Sequence, residues 1–404
     1  MADALNSVSR RLLCPEARVL FAAIQPDLDP AGAAAALQDP SLDWDALLTL
    51  AWQEKAVGAL AGLTDRAPED SIPPTSRTRL AALVRATQFR MLRLQQLLIG
   101  ALDALAERGI DVVLLKGAGV AATAYGSFAA RPMYDVDLLV RQEHVAAAWE
   151  ALRAAGWVHD AEAYPSEIYE AHHHLPPLLD PLGTGIALEL HAALSQTDAI
   201  HLPAETIWRS ARAIEIHGRR ALVPATEHQV LHLAVHFAWS HGLAHASWRT
   251  FRDLHQILGR TPVDWDAVVD AARAARATTA CYWTFRLARS LAHVTVPPPV
   301  LERLRPPRPR LVLDLLERHY IASLYPRNPG PCPSVRLRRL LWTAGMAPRW
   351  SGHGAHRPWE SEEAWEAVQR NREPQSGGDQ PADSSARAAR WTGYLRALLA
   401  PAHG

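Results

Sequence analysis

Lysine is almost absent from the 404 residues. It stands only at Lys55 and Lys116, and every other basic side chain is arginine. Against that preference a lysine beside a glycine turn reads as chemically chosen, because a compact ammonium reaches a phosphate where a planar guanidinium does not fit. The competing reading is a surface lysine at a strand end. Cysteine is nearly as scarce: Cys14, Cys281 and Cys332 lie far apart. Without a Cys-x-x-Cys or paired spacing, neither a disulfide framework nor a cysteine-rich zinc site is expected, which fits a reducing cytoplasm. No run of about 18 uncharged apolar residues occurs, and the first residues lack a basic segment followed by an apolar stretch. Neither a spanning helix nor a signal peptide is expected, and the chain reads as soluble and cytoplasmic. Charge of one sign is lacking too. The 42 basic and 42 acidic residues balance, so nothing compels a nucleic-acid or membrane partner. No repeat of fixed period is present.

What is present is a 49% hydrophobic chain, enough for a substantial core in two or three domains. Its organising stretch runs from Asp111 to Val140. An apolar strand leads into Lys116-Gly117-Ala118-Gly119 and a helix, then Tyr125-Gly126, then Arg131 and a strand opening Asp135-Val136-Asp137. Carboxylates at i and i+2 of a strand share a face. Two like charges so close repel unless a cation lies between them, and clustered carboxylate oxygens suit a hard ion such as Mg²⁺ or Mn²⁺. Metal-assisted phosphoryl or nucleotidyl transfer follows as the first hypothesis. An ion pair filling the space between the carboxylates would speak against it.

Leu-Lys-Gly, then Tyr-Gly, then Arg-x-x-x-Asp-x-Asp-Leu-Leu-Val resembles the nucleotidyltransferase superfamily, specifically its uncharacterised bacterial branch. It is more distantly similar to the nucleotidyltransferase toxins of abortive-infection systems. The resemblance implies an α+β fold: a small mixed sheet with flanking helices, between N-terminal and C-terminal helical regions. It implies an NTP donor, a Mg²⁺ or Mn²⁺ cofactor and metal binding by Asp135 and Asp137. It also implies a third carboxylate on a neighbouring strand. The strand Ile186-Ala187-Leu188-Glu189-Leu190-His191 alternates strictly, and a buried acid on it needs a partner, so Glu189 is the candidate. Many relatives place Gly-Ser or Gly-Gly after the first strand. Here Lys116-Gly117-Ala118-Gly119 stands in that place, so the phosphate grip passes to Lys116 and to the backbone of Gly117 and Ala118. Arg131 supports the loop or contacts triphosphate.

Around this centre the chain divides into a helical region (1–108), the catalytic domain (109–225), a second helical domain (226–350) and a tail (351–404). The tail is rich in Gly, Ser, Pro and charge and reads as largely disordered, with a terminal amphipathic helix over 386–399. Asp43 reads as a helix N-cap, and Gly109 as the C-cap of a long helix from Ser76 to Arg108. Candidate substrate contacts are His174 in the run His172-His173-His174, His191, and Arg249 with Arg252 on a later helix. Either arginine can reach an anionic ligand or pair with Asp253. His228, His232 and His236 recur at helical spacing, as metal ligands or as hydrogen-bonded helix-face histidines. Ten arginines from Arg303 to Arg349 interleave with Tyr320, Tyr325 and Trp342, as an RNA or acidic-carrier footprint or as a solvated lobe.

The favoured function is transfer of an NMP group from an NTP to an acceptor hydroxyl or other nucleophile on a small molecule, peptide or protein. The rivals are a catalytically degenerate nucleotide-binding protein, supported by the missing Ser, and a toxin-like transferase acting on RNA 3′ ends. Neither the acceptor nor the oligomeric state is legible.

Overall fold

The computed structural model describes residues 11–25, 28–169, 173–194, 199–346 and 384–399. The tail expected to be disordered lies, over 351–383, outside the described residues, as does His172. The chain forms two compact units. One comprises 77–233 with 256–276, and the other 1–76, 234–255 and 277–404.

The first unit is built on one seven-stranded mixed sheet in the order β3-β4-β5-β2-β1-β7-β6. Its strands are β1 (Val113–Leu114), β2 (Asp135–Leu139), β3 (Val158–His159), β4 (Leu178–Leu179), β5 (Ala187–His191), β6 (Arg212–Ile216) and β7 (Arg219–Val223). The mixed α and β architecture agrees with the sequence reading. At the centre β2 runs antiparallel to β1 and parallel to β5, pairing Val136 with Leu188, Asp137 with Glu189 and Leu138 with Leu190. Alternation then sorts the side chains. Val136, Leu138, Val140, Leu188 and Leu190 are buried in one cluster with Met91, Leu94 and Leu98 of α1 (Pro74–Ala106) and Ala148 and Leu152 of α3 (Val145–Ala154). Asp137 and Glu189 are left on the opposite face.

Two sequence signals at the helix ends hold. Asp43 accepts from the backbone N–H groups of Asp45 and Ala46. Gly109 takes a left-handed φ of 65° after α1, where a glycine costs least. The hairpin β6–β7 has no counterpart in the sequence reading. Its turn is His217-Gly218, both at positive φ (48° and 79°), as a two-residue hairpin turn of right twist demands.

The second unit is helical. Phe251, on the helix Ser247–Arg260, packs with Phe21 and Phe237, and the indole of buried Trp248 on the same helix donates to the Leu20 carbonyl (2.5 Å). The expected terminal helix is present as Ser384–Leu399, with Tyr394 buried. Among the described residues no helix is long and apolar enough to cross a membrane.

The turn after β1 depends on close backbone approach. A Cβ on Gly119 would lie 2.5 Å from the Leu114 carbonyl oxygen, whereas one on Gly100 in α1 would meet nothing within 4 Å. Gly119→Ala is expected to destabilise the fold by about 1–3 kcal/mol in urea unfolding. Gly100→Ala should leave it unchanged or stabilise it by about 0.5–1 kcal/mol.

Candidate functional site

The parallel register of β2 and β5 sets Asp137 beside Glu189 and Leu139 beside His191, on the face away from the apolar cluster. Asp137 and His191 are buried, Glu189 is half-buried, and Asp135 is exposed at the start of β2. The ring Nε2 of His191 lies 2.9 Å from Asp137 Oδ1 and 3.6 Å from Glu189 Oε2. One ligand atom from each of Asp137, Glu189 and His191 lies within 4.8 Å of the others, and among the described residues no other group of three such side chains gathers.

Lys116 completes the cluster from the neighbouring turn. It opens α2 (Lys116–Val120) at φ 40°, in the left-handed region, at a cost of about 1–2 kcal/mol for a residue bearing a Cβ. That backbone brings Nζ to 2.6 Å from Asp137 Oδ1. Burial alone would drive the Lys116 ammonium to lose its proton, but Asp137, Glu189 and Asp135 outweigh it and raise its pKa. Burial likewise opposes ionisation of Asp137, yet Lys116 and His191 hold its carboxyl well below the usual range. The pair is therefore ionised at neutral pH, and the ammonium stands among the carboxylates where a metal ion would compete for the same oxygen.

An ion pair therefore stands on the acidic face, the arrangement the sequence reading set against a metal, and the donors would fit a divalent ion only with Lys116 displaced from Asp137. Two ligands on one ion, each at about 2.1 Å, stand at most about 4.2 Å apart, so a set within 4.8 Å closes on an ion after small rotations. The other ring nitrogen of His191, Nδ1, is buried without a hydrogen-bond partner among the described residues.

The remaining predicted residues fall as follows. Gly117 and Ala118 are buried in the first turn of α2, and a Cβ on Gly117 would lie 2.5 Å from Arg131 Nη1. The glycine thus admits the buried guanidinium of Arg131 against the turn. His174 bridges to His191 as an antiparallel partner and donates from Nδ1 to the Leu175 carbonyl (2.7 Å). The rings of His173, His174 and His191 form a triangle with centroids 4.8–5.2 Å apart. Arg249 and Arg252 belong to the helical unit, where the Arg252 guanidinium lies over the Trp248 ring. The helix histidines separate in role. His228 Nδ1 meets Ser210 Oγ at 2.9 Å, while His236 stacks edge-on with His241.

His232 lines a small cavity together with Lys116, and its part in this neighbourhood was not read from the sequence. Its signal was the four-residue recurrence of His228, His232 and His236, the first two on α4 (Thr226–Val235), which cannot tell which histidine of a helix faces a sheet. Burial, reinforced by the Lys116 charge, pushes its pKa down to about 3. From pH 6.5 down to about 3 the unfolded chain binds a proton at this ring and the folded chain does not, so stability falls with falling pH there. Asp137 contributes in the same sense only below about pH 4, and the Lys116 contribution is lost only on the alkaline side. Urea unfolding between pH 7 and pH 4 should therefore show a slope to which His232 adds up to about 1.4 kcal/mol per pH unit. His232→Gln should reduce that slope; an unchanged slope would mean that the ring is not buried neutral.

A family model described as uncharacterised nucleotidyltransferase matches residues 40–293, more than half of the chain. No curated protein and no solved structure matches it. By that match over 40–293 the chain belongs to the uncharacterised nucleotidyltransferase family.

Proposed function

We propose that this protein transfers an NMP group from an NTP to an acceptor nucleophile at the face formed by β2, β5 and the start of α2. The observation that carries the reading is the convergence of Asp137, Glu189 and His191 beside Lys116. Asp137, Glu189 and His191 would hold Mg²⁺ or Mn²⁺, with Asp135 at the exposed edge near enough to act on Lys116 electrostatically. A divalent ion bound there would neutralise phosphate charge as it develops in the transition state. The chain's own groups do the rest. Lys116, once released from Asp137, offers a compact positive charge to a phosphate, and the Gly117 and Ala118 N–H groups at the first turn of α2 supply backbone donors. Arg131 braces that turn through its contact with Gly117. Glu189 is placed to align or deprotonate the acceptor, and His174 and His191 line the approach.

A second reading, nucleotide binding without turnover, draws on one observation: the ammonium of Lys116 already satisfies Asp137 at 2.6 Å. The two readings separate in one experiment. The protein is incubated with each labelled NTP, Mg²⁺ or Mn²⁺ and a cell extract. Transfer predicts labelled product and pyrophosphate release, abolished in Asp137→Ala; binding alone predicts neither. Full NTP-dependent transfer by Asp137→Ala would remove the metal role.

The ion pair also generates a prediction independent of turnover. Because ammonium and metal compete for Asp137, Lys116→Gln should bind free Mn²⁺ tighter than the native chain by about tenfold or more, equivalent to about 1.4 kcal/mol. Titration calorimetry reads this directly. Unchanged or weaker Mn²⁺ binding would show that the two cations do not share a site.

A further inference from the structure

The helical unit carries a cavity of its own. It measures about 640 Å³ and is lined by the end of the helix Thr278–Ala292 and by the helices Pro298–Leu304 and Arg310–Ser323. That volume falls in the range of small-molecule sites. Its floor is fixed by Arg286, whose Nε and Nη2 donate to Glu317 Oε2 (3.0 and 2.6 Å). Nη2 also donates to Asp314 Oδ1 (2.6 Å) and Nη1 to Tyr282 Oη (2.6 Å). Ser290 Oγ donates to the other oxygen of buried Glu317 (2.6 Å). This part-buried cluster sets one guanidinium against two carboxylates, so it is a braced wall with no positive charge left to offer a ligand.

Other groups around the cavity are not used in this way. Buried Tyr282 accepts from Arg286, and among the described residues nothing accepts its own O–H proton. The side chains of half-buried Arg289 and exposed Arg310 make no ion pair or hydrogen bond among the described residues, and both line the cavity. Arg305 reaches only exposed Glu302, three residues away at 3.2 Å, a surface pair that exchanges easily. Four arginines face three carboxylates in the lining, leaving an excess of positive charge. Val294, Val296 and Leu313 supply an apolar wall.

We propose that this cavity binds a phosphate-bearing small molecule, its anionic oxygens held by Arg289 and Arg310 and by the Tyr282 hydroxyl, with any apolar portion against the valines. Planar guanidinium groups suit phosphate oxygens. This site lies in the helical unit and does not depend on the nucleotidyl-transfer reading. It also gives the arginine-rich zone a role other than RNA binding. Tyr320, Tyr325 and Trp342, which punctuate that zone in sequence, are all buried and present no ring on which a base can stack.

The test is calorimetric titration of the full-length chain in EDTA with inorganic pyrophosphate and, separately, adenosine monophosphate. At least one probe is expected to bind the native protein and Lys116→Gln alike. Its Kd should rise tenfold or more in Arg289→Ala/Arg310→Ala and several-fold in Tyr282→Phe, with melting temperatures confirming that the variants fold. Tighter monophosphate binding would assign the apolar wall to a nucleoside, and tighter pyrophosphate binding would assign the site to bare phosphates. The proposal is overturned if neither probe binds. It is equally overturned if binding is lost in Lys116→Gln but kept in the arginine variant, or if only a single-stranded RNA oligonucleotide binds.

Discussion

The pairing of β2 with β5 is the constraint on which the site depends. Asp137 stands opposite Glu189 because Val136 and Leu138 stand opposite Leu188 and Leu190, and those four side chains are fully committed to the core. A slip of one residue would turn Glu189 and His191 into apolar packing and bring leucines to the polar face. The cost of such a slip is carried by the whole hydrophobic cluster, so the position of three polar groups is enforced by residues that take no part in chemistry. Function here is bound to register before it is bound to any hydrogen bond.

Lys116 gives this arrangement a second property. It accepts a left-handed backbone that a glycine would take more cheaply, and the gain is an ammonium within 2.6 Å of Asp137. Local strain held in place by surrounding structure commonly marks functional positions. With the ion pair closed, the buried carboxylate is stable without a metal. Under the proposed function the same pair would set a threshold for an entering cation, and a phosphate arriving with that cation would give the ammonium a new partner. Charge compensation thus links folding of the site to what the site binds.

Much of this was legible in the chain. Asp137 and Glu189 follow from alternation within two strands, and Lys116 from its rarity beside a glycine turn. The mixed sheet was implied by the resemblance to nucleotidyltransferases rather than by alternation. His191 was assigned only to substrate contact, although i and i+2 alternation from Glu189 already put it on the acidic face; what sequence could not give is the parallel pairing that carries it to Asp137. Asp135 shares that face by the same alternation, yet it begins its strand at the exposed rim, a difference of position that no spacing encodes. The β6–β7 hairpin was missed because its strands are heavy in arginine and its turn is His217-Gly218 rather than the commoner Asn-Gly. The helix histidines shared a period but not a partner, since periodicity fixes a face and not what that face meets.

The central claim is that Asp137, Glu189 and His191 together hold one divalent ion. It is tested most directly by pulsed electron paramagnetic resonance on the protein loaded with Mn²⁺ and an NTP. The account predicts nitrogen modulation from a directly coordinated imidazole, lost in His191→Gln, together with phosphorus coupling from the nucleotide. A bound Mn²⁺ showing only oxygen ligands and unaffected by His191→Gln, or no bound Mn²⁺ at all, would contradict it.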